Sequence, residues 1–148
     1  MDGIEDTYKQ FVFQTGAAFR APWQFGTDPK PKFRFFFVLN KNPQDDDDIV
    51  VVTTTTKIEK RYKNRFYKVL VNITAEDYKE LSESSVVDCA SAFTISKANI
   101  IEMIADNKIQ LISKLPEEIF EKIKAAIESS KTLKPKIKRL VLGDSIDL

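Results

Sequence analysis

Two apolar runs flank an acidic loop in the first half of the chain. Residues 33–39 read FRFFFVL and residues 49–56 read IVVVTTTT. Both runs are rich in the aromatic and β-branched residues that favour strands. The residues between them, 40–48, have the polar composition of a loop. The pattern therefore predicts an antiparallel hairpin centred on residues 44 and 45.

The centre of the hairpin determines its register. It places Phe36 opposite Thr53 and Arg34 opposite Thr55 on one face, while positions 35, 37 and 39 lie on the other. Directly opposed side chains lie within about 5.5 Å at Cβ, so Arg34 and Thr55 are predicted neighbours. The alternative is a solvated arginine at a strand end, beside threonines that only serve β-propensity.

Both faces of the predicted hairpin are apolar, so one would need a helix or a second subunit to cover it, which favours a homodimer.

Further short strands are predicted along the chain. The sequence favours strands within 11–25, 66–73 and 84–96, and a brief extended segment within 106–115. Residues 26–32, with two prolines and a glycine, form a loop that leads to Arg34. Residues 1–10 are polar and are expected to form a loose segment, and residues 131–148 form a C-terminal extension of unassigned role.

Three helices are predicted from capping signals and periodicity. Thr74 would cap a short helix over 75–81, and Ser96 would cap a helix that runs to about Ala105. Pro116 opens the clearest helix, which has isoleucines and a phenylalanine on one face. Short strands followed by one late amphipathic helix predict a mainly β fold, a small curled antiparallel barrel with short helical inserts.

Composition limits the class of protein. A chain of 148 residues with 43% hydrophobic and 30% charged residues is typical of one soluble globular domain. The sequence contains no apolar run as long as a membrane span, and its first ten residues lack the features of a signal peptide. The single Cys89 excludes an internal disulfide and suits a reducing cytoplasm, so a cytoplasmic protein without membrane contact is expected. Cys89 itself is interpreted as a core residue.

The absence of histidine excludes several kinds of chemistry. Ser–His and Cys–His nucleophile pairs cannot form, and a zinc site within one chain would lack its usual ligands. The four glycines are too scattered for a nucleotide-binding loop. The expectation is therefore a protein without a metal or cofactor.

Charge is unevenly distributed along the chain, although the net charge is only +1. Residues 57–68, KIEKRYKNRFYK, contain six basic residues and one acid, interleaved with aromatic residues. Such a run can hold a nucleic-acid backbone and stack bases; the alternative is a solvated hairpin tip. The candidate nucleic-acid-binding residues are Lys30, Lys32, Lys57, Lys60, Arg61 and Lys63. The four aspartates at 45–48 are interpreted as part of a solvated loop.

The order of these segments resembles the MazF/PemK-like toxins, the ribonuclease half of many type II toxin–antitoxin pairs. The matching segments are Gly16, RFFFVLN (34–40), IVVVTTTTKIEK (49–60), SSVVDC (84–89), SKANI (96–100) and ISKLPEEIFEKIKAAI (112–127). The resemblance covers about residues 11–130. Phe35 stands where the family usually has a proline after its arginine.

The resemblance implies an SH3-like barrel over residues 11–130 that forms homodimers and cleaves single-stranded RNA without metal. It also implies that a cognate antitoxin neutralises the protein. The family's catalytic arginine carries over to Arg34 and its strand-end threonine to Thr55. Asp28 and Thr53 are possible supporting residues.

Arg34 and Thr55 also fit RNA cleavage chemically. Attack by the RNA's own 2′-hydroxyl builds charge on the phosphate, and a guanidinium can hydrogen-bond that charge at two points. A threonine hydroxyl can donate to a phosphate oxygen or orient the 2′-hydroxyl. No general base is identified, and Asp28 is the nearest carboxylate in sequence. The alternatives are a catalytically inactive barrel that binds RNA or a protein partner, and a structural module without a nucleic-acid role.

Overall fold

The computed structural model describes residues 2–26, 28–55 and 69–143. The strands in these ranges are β1 (Ala18–Trp23), β2 (Lys32–Val38), β3 (Asp48–Thr55), β4 (Leu70–Ile73), β5 (Ser85–Asp88), β6 (Phe93–Ser96) and β7 (Gln110–Ile112). The helices are α1 (Asp2–Val12), α2 (Lys97–Ala105), α3 (Glu117–Ser129) and α4 (Pro135–Leu142). None of these helices has both the length and the apolar character needed to cross a membrane.

The strands form one antiparallel sheet in the order β4-β5-β3-β2-β1-β7, and β6 pairs with the first half of β3. The predicted mainly β, antiparallel architecture is confirmed. Within the described ranges β4 and β7 lie at opposite ends of the order, so the sheet is not closed into the predicted barrel.

The central hairpin has the predicted register. Phe36 pairs with Thr53 and Val38 with Val51. The ladder between β2 and β3 ends at Phe36 and Thr53, because the last residues of β3 pair instead with β5, Thr55 opposite Val86. Arg34 is therefore not a ladder partner of Thr55, as the sequence had predicted, and the two strands part at this end.

Each face of the hairpin is covered by helices of the same chain. Phe37, Leu39, Val50 and Val52 belong to a core cluster that includes residues of α3 and α4. Phe36, Val38, Ile49 and Val51 belong to a second cluster with residues of α1 and α2. Of the two covers that the sequence allowed for the second face, a helix or a second subunit, the structure has helices.

Helices that the sequence analysis did not predict lie near both ends of the described chain. Residues 2–12 form α1, so the prediction of a loose segment over 1–10 is wrong for the described part of it. Val12 and Phe13 at its end are buried in the second cluster. In the C-terminal extension, Ile137 and Val141 of α4 pack into the first cluster, because a basic and apolar sequence alternating at helical spacing has one apolar face.

Two of the three predicted helices are confirmed. The Ser96 hydroxyl accepts a hydrogen bond of 3.1 Å from the N–H of Asn99 and caps α2. The helix that begins after Pro116 is α3. The helix predicted over 75–81 is only a turn, although Thr74 accepts a bond from Asp77 as a cap would. Tyr78 in this segment is buried in the core, and its hydroxyl donates to the Ser113 carbonyl.

The acidic loop is partly structural rather than simply solvated. Asn40 is fully buried; its amide donates to the Asp46 carboxylate at 2.8 Å and to the Asp48 carbonyl at 2.9 Å. Its oxygen accepts from the N–H of Val50 at 2.6 Å. Asp48 also forms an ion pair with Lys136 of α4. The loop therefore ties the hairpin to the C-terminal helix.

Cys89 is fully buried, and burial raises the pKa of its thiol to about 12. A thiol with so high a pKa is not a nucleophile at neutral pH. The interpretation of Cys89 as a core residue is confirmed.

Candidate functional site

A pocket of about 470 Å³ lies where β2 and β3 part. Beyond Phe36, β2 and β3 no longer pair with each other. Arg34 of β2 pairs with Ala21 of β1, and Thr55 of β3 pairs with β5. The pocket's lining combines basic, acidic, hydroxyl and aromatic side chains. Its residues are Phe25, Asp28, Lys32, Arg34, Thr53, Thr54, Thr55, Asp88, Ser91 and Phe93.

Arg34 is held in the pocket by three contacts. Its Nε donates to the Trp23 carbonyl at 3.3 Å, and its Nη2 donates to the Asp28 carboxylate. The guanidinium carbon lies 4.6 Å from the centre of the Phe25 ring, a cation–π distance. Among the contacts of the described residues none uses Nη1, so a fixed cation keeps a donor for a ligand in the pocket.

Asp28 orients Arg34. Besides the ion pair, its carboxylate accepts a 3.1 Å hydrogen bond from the N–H of Phe25 and lies 4.0 Å from the Lys32 ammonium. The Phe25 N–H and the Arg34 guanidinium together hold the pKa of Asp28 below its usual value. The carboxylate is therefore ionised at neutral pH and engaged with Arg34, which makes it a weak proton acceptor.

The three threonines at the end of β3 form one wall of the pocket. Side chains alternate along a strand, so Thr53 and Thr55 lie on one face and Thr54 on the other. Thr53 pairs with Phe36, and Thr54 pairs with Val87 of β5. The structure thus brings the predicted Arg34, Thr55, Asp28 and Thr53 to the same pocket, although not through the predicted strand pairing.

Asp88 is a pocket residue that the sequence analysis did not identify. It ends β5, and its carboxylate accepts bonds from the N–H of Ala90 at 3.2 Å and from the hydroxyl of Ser91 at 3.1 Å. An aspartate followed three residues later by a serine, directly after a strand, is a capping pattern that could have drawn attention to it. Asp88 places a second carboxylate in the pocket.

Aromatic rings close the opposite side of the pocket. The centres of the Phe25 and Phe93 rings lie 5.7 Å apart at an angle of 75°, and Trp23 packs against Phe93 at 5.8 Å. Flat apolar walls beside a fixed guanidinium suit a ligand that has both a planar ring and an anionic group.

Of the predicted RNA-binding residues that the structure describes, one lines the pocket and one does not. Lys32 lines the pocket, and its side chain is 56% exposed. Lys30 is exposed in the loop before β2 and is not among the described residues that line the pocket. The predictions for Lys57, Lys60, Arg61 and Lys63 lie outside the described residues.

Two solved structures have a similar fold. An endoribonuclease in complex with its cognate antitoxin from a mycobacterial species superposes with a TM-score of 0.50 at 16% identity, over 78% of this chain and 90% of that one. MazE–MazF from Deinococcus radiodurans superposes with a TM-score of 0.53 at 11% identity, over 80% and 95%. At such identities the likeness concerns the fold alone.

The family relationship rests on the sequence match. No individual curated protein matches the chain significantly. Residues 20–130, which are 111 of the 148, match the family described as PemK-like, MazF-like toxins of type II toxin–antitoxin systems. The matched range contains every residue that lines the pocket. The chain therefore belongs to the family of PemK-like, MazF-like toxins of type II toxin–antitoxin systems.

Proposed function

We propose that the protein is an endoribonuclease toxin that cleaves single-stranded RNA without a metal ion and is neutralised by a cognate antitoxin. The observation that carries the proposal is the anchored Arg34 beside the β3 threonines, within the range that matches a toxin family. The two similar folds are those of an endoribonuclease with its cognate antitoxin and of a MazE–MazF complex, which supports the same kind of protein partner here.

In the proposed reaction the 2′-oxygen of the RNA attacks the adjacent phosphorus. The new O2′–P bond forms as the P–O5′ bond breaks, leaving a 2′,3′-cyclic phosphate and a 5′-oxygen that takes a proton from solvent water to become the 5′-hydroxyl. Arg34 would hydrogen-bond the charge that develops on the phosphate oxygens, and the Thr55 hydroxyl would donate to one of them or orient the attacking group. Because Arg34 is already held by Asp28, Trp23 and Phe25, little reorganisation is needed during the reaction.

The reaction also needs an acceptor for the 2′-hydroxyl proton. Arginine stays protonated, and the Asp28 carboxylate is engaged with Arg34. Asp88 is the second carboxylate of the pocket, and each carboxylate oxygen can accept more than one hydrogen bond. We assign the proton-acceptor role to Asp88, and Asp88→Asn, which keeps the shape of the side chain but removes the carboxylate, should therefore lower the cleavage rate.

Binding partners follow from the same proposal. Lys32 at the pocket and Lys30 beside it, with Lys57, Lys60, Arg61 and Lys63, would neutralise RNA phosphates. The homodimer is proposed from the family resemblance, since the apolar face that first suggested it is covered by α1 and α2.

The test is cleavage of end-labelled single-stranded RNA in excess chelator. Wild-type protein should cleave and leave 2′,3′-cyclic phosphate ends, while Arg34→Ala should be slower by about a hundredfold or more. Arg34→Lys should recover little, because an ammonium cannot replace both anchored donors. Arg139→Ala, which removes an exposed arginine of α4, is the matched control and should cleave normally. Metal-dependent cleavage or free 3′-hydroxyl ends would contradict the mechanism.

Phe35 favours a second candidate function, a catalytically inactive barrel that binds RNA or a protein. It stands where the family usually has proline, and its ring lies 5.2 Å from the Arg20 guanidinium. An inactive binder would show no cleavage under any condition, while Arg34→Ala would weaken affinity alone.

A further inference from the structure

A second pocket lies on the other side of the gap between β2 and β3. It has a volume of about 250 Å³, and three residues, Arg34, Thr54 and Thr55, line both this pocket and the larger one. Its remaining lining residues are Phe33, Phe35, Leu81, Ser82, Glu83 and Ser85. The proposed phosphate site therefore lies between two cavities rather than at the end of one.

Phe33 gives the second pocket an exposed aromatic surface. It is 59% exposed, one of the three large apolar side chains that are open to solvent in the described ranges. The Arg20 guanidinium lies 5.4 Å from the centre of its ring and 5.2 Å from that of Phe35. Arg20 is itself held through a 3.4 Å bond from Nη1 to Gln110. Packing therefore steadies the Phe33 ring without burying it.

The polar groups of the second pocket suit a nucleobase better than a phosphate. Glu83 is exposed at its rim, and a carboxylate repels phosphate but accepts hydrogen bonds from amino groups on base edges. Ser82 and Ser85 add hydroxyl groups, and the Ser85 hydroxyl donates to the Glu83 carbonyl at 3.2 Å. Together with Phe33, the lining provides a stacking surface and an acceptor for a base with an exocyclic amino group.

We propose that the second pocket is a nucleobase subsite for one of the two nucleotides that flank the scissile phosphate, and this rests on the proposed function. One base lies in the larger pocket against Phe25 and Phe93, the phosphate lies at Arg34 and Thr55, and the neighbouring base stacks on Phe33. Only unpaired nucleotides can place consecutive bases in two separate pockets, so the arrangement selects single-stranded RNA.

The first experiment measures binding, so that it does not depend on cleavage. The probe is a fluorescent single-stranded RNA whose 2′-hydroxyls are methylated, so that it cannot be cleaved by 2′-oxygen attack. Phe33→Ala should weaken binding by about five- to a hundredfold, the usual effect of losing one aromatic stacking partner, and Phe33→Tyr should retain it. The control is Phe11→Ala, because Phe11 of α1 is similarly exposed at 56%. Equal affinities of Phe33→Ala and wild type would overturn the subsite.

The second experiment locates the base that contacts Phe33. Probes carrying one abasic nucleotide, placed at each position of the strand in turn, are bound to wild type and to Phe33→Ala. One abasic position should remove the difference between the two proteins, because the stacked base is then missing. Glu83→Gln should reduce the preference for cytosine, adenine or guanine over uracil at that position. A Phe33→Ala defect that persists with every abasic probe would overturn the proposal.

The two proposals fail in different ways. If wild-type protein cleaves RNA but Phe33→Ala binds like wild type, the proposed function stands and the subsite is wrong. If wild-type protein does not cleave but one abasic position removes the Phe33 effect, the subsite stands and the cleavage function is wrong.

Discussion

The most direct prediction of the site geometry concerns Asp28. It holds Arg34 Nη2 and is itself oriented by the N–H of Phe25. If its role is to position Arg34, then Asp28→Asn should affect cleavage only through that arginine. If Asp28 instead accepts a proton, the substitution should reduce the rate whether or not Arg34 is present.

The expected magnitudes separate these roles. Asp28→Asn keeps a side chain of the same shape but weakens the hold on the guanidinium, and displacement of a catalytic group by about 1 Å can cost about a hundredfold in rate. Arg34→Ala removes the donor and should cost about a hundredfold to a thousandfold in kcat. For a positioning residue the double variant should be as slow as Arg34→Ala alone, because no guanidinium remains to be placed.

The assay is single-turnover cleavage of a labelled RNA at high enzyme concentration, so that the slow variants remain measurable. Asp6→Asn, an exposed acid of α1, serves as the control for a lost negative charge. Losses that multiply in the double variant would refute the positioning role.

The pH dependence provides an independent check on Asp28. The folded-state pKa of this carboxylate is lowered, first by the Phe25 hydrogen bond and then by Arg34. Its contribution to stability is thus present above the ordinary aspartate pKa of about 3.9 and is lost only as the pH falls through the lower folded value. Between about pH 5 and pH 8, a range of about three units, Asp28 stays ionised and keeps Arg34 in place. The contact between Asp28 and Arg34 should therefore add no pH dependence to cleavage in this range.

Four further predictions concern Thr55, the basic run, Asn40 and the assembly of the protein. Thr55→Val keeps the side-chain shape and should lower turnover in cleavage assays while leaving RNA affinity nearly unchanged. Replacing Lys60, Arg61 and Lys63 with glutamine should weaken RNA binding and flatten its salt dependence; an unchanged salt slope would assign this run to solvated surface. Asn40→Ala should lower the free energy of unfolding by about 2–4 kcal/mol in urea titrations, because it leaves buried backbone groups unpaired. Light scattering at micromolar concentration should give the mass of a dimer, and a monomer would contradict the proposed assembly.

Local patterns in the sequence determined much of the fold. The register and the two apolar faces of the hairpin were predictable, because side chains alternate strictly along a strand and the loop between the strands marks the centre. The cap at Ser96 and the helix after Pro116 were predictable for the same reason, since both signals lie within a few residues of the structure they specify. The hairpin register by itself predicted only that Arg34 and Thr55 are neighbours, and the resemblance to a toxin family made them candidates for phosphate chemistry.

Only the tertiary structure decided how the pocket is built. The end of β3 pairs with β5 rather than with β2, and this choice between distant strands opens the gap beside Arg34. The same long-range packing brings Asp88 from the end of β5 to the pocket and places the Phe25 ring over the guanidinium. It also places α1 and α4 on the two faces of the hairpin. These features depend on which surfaces of separate elements meet, a matter of shape and burial in three dimensions that no local pattern of residues specifies.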